Sequence, residues 1–322
     1  MRVLSDDDVA RLLDLPELLP EIERAFRKQG RGEVERPERP HFPVGAGLDG
    51  DDSLGTGLTM PAYIHGDDQY ATKLASVHEG NADQGLPTVQ AQIALTDART
   101  GGPAALLAGT RITNARTGCI GGLAAKYLAV GDGPVRLGVV GAGTQARWQT
   151  RAIDAARGVE SVRIYSPSDS RETCATDLRG TGIDASAVDS ARTAVSDVDV
   201  VVTATTATAP VFPGDALAPG TLVVAVGGYT AGMRELDAET VSRASRLFAD
   251  VPEEVAETGD FPEQEASSFT PLSAVFEGNA GRDSDGEILV VGSVGSAVLD
   301  AAAATALFEQ AVAENVGDRV DL

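Results

Sequence analysis

Gly141, Ala142 and Gly143 are the residues whose spacing most plainly implies chemistry. They sit in the stretch Val135 to Arg147, VRLGVVGAGTQAR. A short apolar run leads into them and a helix-like segment, Ala146 to Ala156, follows. This is the strand, glycine turn and helix that open a dinucleotide-binding unit. Gly141 would let the chain turn sharply off the strand. Gly143, without a side chain, would let the backbone approach a pyrophosphate. The N–H groups that begin the helix are unpaired, and the helix dipole favours an anion there. Ala146 takes the place of a third glycine, where helix and strand pack.

The tip of the second strand of such a unit separates the two nicotinamide cofactors. A NAD(H) site usually carries Asp or Glu there, bonded to the ribose diol. Here Val162 to Tyr165 runs into Ser166, Pro167, Ser168, Asp169, Ser170 and Arg171. Small hydroxyls followed by an arginine suit a 2′-phosphate better, which slightly favours NADP(H); Asp169 keeps NAD(H) open. Ser166 and Ser168 would serve equally as turn and N-cap residues.

Lys73 is out of place in a different way. Of 26 cationic residues only Lys28, Lys73 and Lys126 are lysine, and Lys73 stands in an apolar, strand-like context, Tyr70 to Ala75. Partly desolvated beside a cofactor, its ammonium would release a proton more easily and could act as acid and base. The alternative is a surface lysine on an edge strand. Lys126 falls on a helix and reads as surface or structural.

The formal net charge is −22 and the isoelectric point about 4.4. This balance disfavours nucleic acid and anionic membrane as partners, since both are polyanions. An acidic, lysine-poor surface suits a cytoplasm full of salt, where screening cancels self-repulsion; a halophile's cytoplasmic enzyme is the expectation. Cys119 and Cys174 have no metal spacing, and His41, His65 and His78 are scattered, so no metal is expected. The opening Ser5-Asp-Asp-Asp looks like a helix N-cap rather than a targeting segment.

Two domains are expected from 322 residues. Ser5 to Gly30 has the spacing of amphipathic helices, and 33–43 is a proline-broken extended segment carrying Arg36 and Arg39. A loop is expected over 44–53. Leu58–Ile64, Tyr70–Val77, Thr88–Leu95 and Ala104–Leu107 are strand candidates in a mostly antiparallel sheet. Thr110–Ala129 is expected to be helical in its second half. Beyond Val135, strands at Arg136–Val140, Val162–Tyr165, Val198–Thr203, Thr221–Val226, Arg246–Ala249 and Ile288–Val291 alternate with helices. That is the cadence of a doubly wound parallel sheet. Ser296–Asn315 is an alanine-rich helix.

Six ordered segments carry a resemblance: Met60-Pro-Ala-Tyr63; Ala71-Thr-Lys-Leu74; Asn81 with Gly85-Leu-Pro-Thr-Val89; Ala115-Arg-Thr117 with Ala124-Ala-Lys-Tyr-Leu128; Gly141 to Ala146; and Gly232-Met-Arg-Glu-Leu-Asp237. In this order they resemble the ornithine cyclodeaminase/mu-crystallin family, on the side of its archaeal-type alanine dehydrogenases and ketimine reductases. The resemblance implies an α/β protein. Residues 1–116 and 297–322 would form an α+β substrate and dimerisation domain. Residues 117–296 would form a Rossmann-type cofactor domain with a doubly wound parallel sheet. It also implies a homodimer, a small amino- or imino-acid substrate, and hydride exchange between NAD(P)(H) and an α-carbon that is amine in one state and imine in the other.

The resemblance also implies roles. Arg39 and Arg116 would hold the substrate's α-carboxylate, a task that suits a planar guanidinium unable to lose its proton; Arg36 is close enough in sequence to replace Arg39. Lys73 would contact that carboxylate and move a proton. Thr88 would touch the cofactor near its nicotinamide, and Thr144, Gln145 and Ala146 would meet the pyrophosphate. Fold topology adds Thr203, Ala204 and Thr205 beside the adenosine, and Val226 and Gly227 beside the nicotinamide.

Two positions depart from the family. Ornithine cyclodeaminases carry an aspartate after the paired glycines of the fifth strand, where this chain has Gly227, Gly228 and then Tyr229. A phenol with a pKa of about 10 cannot take a proton from an ammonium at neutral pH. No carboxylate is expected nearby, because Glu235 and Asp237 belong to the next motif. Cyclisation of ornithine therefore ranks below imine reduction, and a silent ligand-binding protein ranks below both. Gly292 stands where the family often has a lysine, which removes a charge near the cofactor.

Overall fold

The computed structural model describes residues 1–48 and 50–321, the side chains of 82 and 83 apart. Of the expected loop over 44–53, residue 49 lies outside the described residues. The chain forms two units, residues 1–116 with 297–322, and residues 117–296.

The chain begins with β1 (Arg2–Leu4), α1 (Asp6–Leu12) and α2 (Leu15–Gly30). Ser5 caps α1 reciprocally: its hydroxyl accepts from the Asp8 N–H at 3.2 Å, and the Asp8 carboxylate accepts from the Ser5 N–H at 3.1 Å. Then come β2 (Val34–Glu35), β3 (His41–Val44), β4 (Gly55–Ile64), β5 (Gln69–Val77), β6 (Val89–Asp97) and β7 (Pro103–Ala108). Helix α3 (Gly109–Leu128) carries the chain from the first unit into the second. It is helical throughout, not only in its second half. The threonines of its first turns depress helix propensity, but the buried Ile112 and Arg116 anchor that half.

The second unit holds β8 (Val135–Val140), α4 (Thr144–Arg157), β9 (Val159–Tyr165), α5 (Ser170–Arg179), β10 (Ala185–Ala187), α6 (Ala191–Val195), β11 (Val200–Thr203), β12 (Leu222–Ala225), α7 (Ala238–Arg243), β13 (Arg246–Ala249), α8 (Pro252–Val255), β14 (Phe269–Pro271), α9 (Leu272–Phe276) and β15 (Leu289–Gly292). The short elements α8, β14 and α9 carry no periodicity long enough to announce them. Finally α10 (Ala297–Ala313) and β16 (Asp318–Arg319) return to the first unit.

In the first unit β4 to β7 form an antiparallel meander. Beyond β7 lie β1, parallel to it, and β16; β2 and β3 pair end to end with β4. The period of two decides what each strand buries. On β5, Ala71 and Lys73 are buried while Tyr70 and Leu74 are exposed. Helix α10 packs on this sheet and on α2. It is buried without a break from Ala297 to Thr305, and its alanines allow that close approach. Asp300 is the single charge in the buried run.

All eight strands of the second unit are parallel, in the order β10-β9-β8-β11-β12-β15-β13-β14. Val200 to Val202, Leu222 to Val224 and Leu289 to Val291 are fully buried, as strands covered on both faces require. The winding reverses between β8 and β11, which stay paired to Val140 and Thr203; the connections that leave their carboxyl ends run to opposite faces of the sheet, and the crevice between such connections is where these sheets hold ligands. No helix among the described residues is long and apolar enough to cross a membrane.

Arg157 braces the entry to this sheet. Its guanidinium donates to the carbonyls of Ala125 (3.0 Å), Lys126 (3.5 Å), Ala129 (3.3 Å), Val130 (2.8 Å) and Gly133 (3.1 Å), and to that of Gly131. These include carbonyls that a helix C-terminus leaves without partners. Arg157→Ala should lower Tm by roughly 5 °C, from the loss of about 2 kcal/mol of charge-assisted bonding. Arg157→Lys should recover little, because one ammonium cannot span six carbonyls. A thermal melt unchanged in both variants would sink this account of Arg157.

Candidate active site

Three charged side chains meet under α10. Lys73 reaches inward from β5, Arg116 from α3 and Asp300 from α10 itself; they are 2%, 5% and 1% exposed. Lys73 Nζ donates to Asp300 Oδ2 at 2.6 Å, and Arg116 Nε donates to Asp300 Oδ1 at 2.9 Å. Thr113 Oγ1 lies 3.5 Å from Oδ1. Among the described residues, the terminal nitrogens of Arg116 make no bond. That leaves its planar fork for a carboxylate. Arg36 and Arg39 are both half-buried in the extended stretch between β2 and β3, and the charge of Arg39 acts on Lys73.

Cations outnumber anions here, and the proton affinities follow. Burial pushes the Lys73 ammonium down to about 8; Asp300 opposes this, while Arg116 and Arg39 reinforce it. Burial alone would raise Asp300, but Arg116 and Lys73 together outweigh it and hold the carboxyl below its ordinary value. A carboxylate between two cations stays ionised, whereas a lysine facing one anion and two cations holds its proton loosely.

Asp300 has no counterpart among the expected site residues. Its signal in the sequence is a lone acid in the run Ala297 to Ala304, a charge where the helix is otherwise apolar. Thr88 lies just before β6 in the first unit, its carbonyl accepting from the His78 N–H at 2.9 Å.

In the second unit the glycine turn follows β8. Gly141 has φ +113°, and a Cβ there would run into the carbonyl oxygen of Ala204. Gly143 is different: it is exposed, and a Cβ there meets no protein atom within 4 Å. It is the N-cap of α4 and supplies no side-chain cap, so the first N–H groups of α4, beginning at Thr144 and Gln145, are unclaimed by a capping side chain. Ala146 is fully buried against the sheet. Arg147 braces the turn, donating to the carbonyls of Ala142 (2.7 Å) and Gly143 (3.1 Å) while paired with Asp177 at 2.6 Å. Open space over a helix N-terminus at a sheet's switch point fits a dinucleotide pyrophosphate. At the tip of β9 the hydroxyls of Ser166, Ser168 and Ser170 form a chain, and Arg171 Nη1 donates to the Ser166 carbonyl at 3.0 Å.

The ends of β11 and β12 are tied together by Glu235. Its carboxylate accepts from the Thr203 hydroxyl (2.8 Å), the Thr205 N–H (2.6 Å) and hydroxyl (2.8 Å), and the Gly227 N–H (2.8 Å). Val226 N–H donates to the Thr203 carbonyl at 3.1 Å, so Thr203, Ala204, Thr205, Val226 and Gly227 form one bonded patch. The Thr203 hydroxyl is buried and donates to Glu235. Burial, with Asp260 adding to it, raises the Glu235 carboxyl to about 7 against the pull of its four donors.

The absence of a nearby carboxylate, expected at Gly227-Gly228, is therefore corrected. Glu235 stands behind Gly227. A Cβ on Gly228 would lie 2.8 Å from Asp260 Oδ2. The chain from Tyr229 to Arg234 loops out and returns, which sequence distance along the motif does not show. Both acids face inward: Asp260 Oδ1 accepts from the Glu235 and Leu236 N–H groups at 2.5 and 2.7 Å. Tyr229 is exposed. Gly292 is closely packed; a Cβ there would lie 2.6 Å from Val255 Cγ1 and 2.7 Å from Phe261 Cε2.

The model of the ornithine cyclodeaminase/mu-crystallin family matches residues 1–315. The chain belongs to this family. Within it, the chain is 33% identical to the alanine dehydrogenase of Archaeoglobus fulgidus, over 99% of this chain and 97% of that one. Among solved structures it is similar to the Δ1-pyrroline-2-carboxylate reductase of Thermococcus litoralis in complex with NADH and L-proline. The TM-score is 0.92 and the identity 34%, over 99% of this chain and 100% of that one. An archaeal alanine dehydrogenase dimer with bound NAD superposes with a TM-score of 0.91 at 29% identity, over 100% of this chain and 99% of that one.

Within this family member the two glycines of the turn should separate cleanly. Gly141→Ala forces a side chain into positive φ and into the Ala204 carbonyl, costing on the order of 1–3 kcal/mol of stability. Gly143→Ala should leave the thermal melt within about a degree, since the added methyl meets no protein atom, yet raise the KM for the cofactor several-fold. A Gly143→Ala enzyme with unchanged cofactor KM would remove the pyrophosphate from this turn.

Proposed function

We propose that this protein interconverts a small amino acid and its imino or keto acid with a nicotinamide cofactor, by the chemistry of alanine dehydrogenases and ketimine reductases. The observation that carries the reading is the cluster of Lys73, Arg116 and Asp300, with a lysine whose proton is labile near neutral pH. Arg116 and Arg39 hold the α-carboxylate. Lys73 gives a proton toward the imine nitrogen in reduction and takes one from the ammonium in oxidation. The glycine turn and the patch tied by Glu235 hold the cofactor, which when bound supplies or accepts the hydride at the α-carbon.

At the tip of β9, the three serine hydroxyls and Arg171 favour a 2′-phosphate, so NADPH serves somewhat better than NADH. The protein is a homodimer, as is the archaeal alanine dehydrogenase, and exposed apolar side chains in the first unit such as Phe42, Leu54, Leu74 and Leu86 suit such an interface. Cyclisation of ornithine ranks second. The acids nearest the paired glycines are buried and bonded to backbone N–H groups, and Tyr229 supplies no charge.

The test is loss of the reduced-nicotinamide absorbance, in molar KCl, with Δ1-pyrroline-2-carboxylate and separately with pyruvate plus ammonium. Stoichiometric loss with one of them is expected. A flat signal with both, while ornithine yields proline and ammonia, would overturn the reading. Two consequences follow for kinetics. Arg116→Ala should raise the KM for the imino acid about tenfold to a hundredfold, the value of a charge-assisted carboxylate bond, with cofactor KM unchanged. Reduction needs Lys73 protonated, so its kcat/KM should fall as pH rises through about 8. Oxidation needs the neutral amine and should rise through the same range; two profiles without that crossing would exclude Lys73 as the proton carrier.

A further inference from the structure

We propose that Asp300 is a positioning residue of this active site: one carboxylate fixes the Lys73 ammonium with one oxygen and, with the other, turns the Arg116 guanidinium so that its terminal nitrogens face the substrate's carboxylate. The proposal rests on the reading of Lys73 and Arg116 given above.

Helix α10 has no packing need for a charge at this place. Its neighbours from Ala297 to Ala304 are apolar, most of them alanine, and all are buried. A carboxylate taken out of water is retained only where it is paired, and Asp300 is paired twice, at 2.6 Å and 2.9 Å. The manner of pairing is informative. An arginine and an aspartate left to themselves favour the two-pronged arrangement through the guanidinium's parallel N–H groups. Here Asp300 accepts from Arg116 only at Nε, because its second oxygen is held by Lys73. The fork is thereby spared for a second carboxylate, in the same cluster as the proton donor.

The charges that face Lys73 are few. Asp300 comes from α10, Arg116 from α3 and Arg39 from the stretch before β3. Its partners across the sheet, Met60 on β4 and Ile93 on β6, are apolar. Asp300 is the anion bonded to the lysine, and it opposes the effects of burial and of the two guanidiniums. Without it, burial and two guanidiniums would strip the ammonium of its proton at lower pH, and the donor needed for reduction would be absent under ordinary conditions.

The experiment compares the wild type with Asp300→Asn and Asp300→Glu in the reduction assay across pH, with cofactor KM and thermal melts as controls. Asp300→Asn keeps shape and one acceptor oxygen but removes the charge. The alkaline limb of its kcat/KM profile should move down by about one pH unit or more, the consequence of losing one close opposite charge. Its KM for the imino acid should rise while that for the cofactor stays put. Asp300→Glu keeps the charge but moves the carboxylate by one methylene; the limb should stay in place and kcat should fall several-fold. An Asp300→Asn enzyme with the wild-type limb, or an Asp300→Glu enzyme with wild-type kcat, overturns the proposal alone. Should Asp300→Asn fail to fold, the Asp300→Glu result still decides the positioning claim. A wild-type protein inactive on every imine overturns this proposal and the reading beneath it together.

Discussion

A charge buried under a helix must be paired, and the first unit is arranged around that constraint. Lys73 stands on the inward face of β5, where the alternation of the strand buries it almost completely. Arg116 comes to the same place from the middle of α3. Asp300 lets both remain there, and it can do so only because the chain, after completing the second unit, returns as α10 and lays an alanine-rich face across the sheet. The return of the C-terminal helix is thus part of the chemistry as well as of the packing.

The second unit meets a different constraint. Eight parallel strands end at one edge, and backbone at such an edge needs partners once the ladder stops. Glu235 supplies them for β11 and β12 with four accepted hydrogen bonds, and Asp260 does the same for the segment that carries Glu235. At β8 the opposite solution is used. Gly143 and the first turn of α4 are left without a capping side chain, and an anionic ligand is the natural partner for those donors. Acids serve where the backbone must be closed, and glycine serves where it must stay open.

Much of this was legible from the sequence, for physical reasons. Parallel strands buried on both faces become continuous apolar runs, so Val200–Thr203, Leu222–Ala225 and Leu289–Gly292 stand out without an alignment. The glycine turn stands out because its backbone excludes other residues. Lys73 stands out because lysine is scarce. What stayed hidden is pairing over long sequence distance. Asp300 lies 227 positions from Lys73, and nothing local in a run of alanines says which cation it meets. Glu235 reads in the sequence as part of a separate motif because the loop that brings it back to Gly227 has no periodic signal. The first half of α3 is hidden for the related reason that tertiary anchoring overrides weak local propensity.

One measurement bears most directly on the central claim that the α-carbon of an imino acid receives the hydride. The protein would be incubated with reduced nicotinamide cofactor carrying two deuterium atoms at C4, together with Δ1-pyrroline-2-carboxylate or pyruvate plus ammonium. The amino acid formed would then be analysed by mass spectrometry. The account predicts proline or alanine carrying one deuterium at the α-carbon, in step with cofactor oxidised. An unlabelled amino acid, or no amino acid from either imine while ornithine is converted to proline, would contradict it.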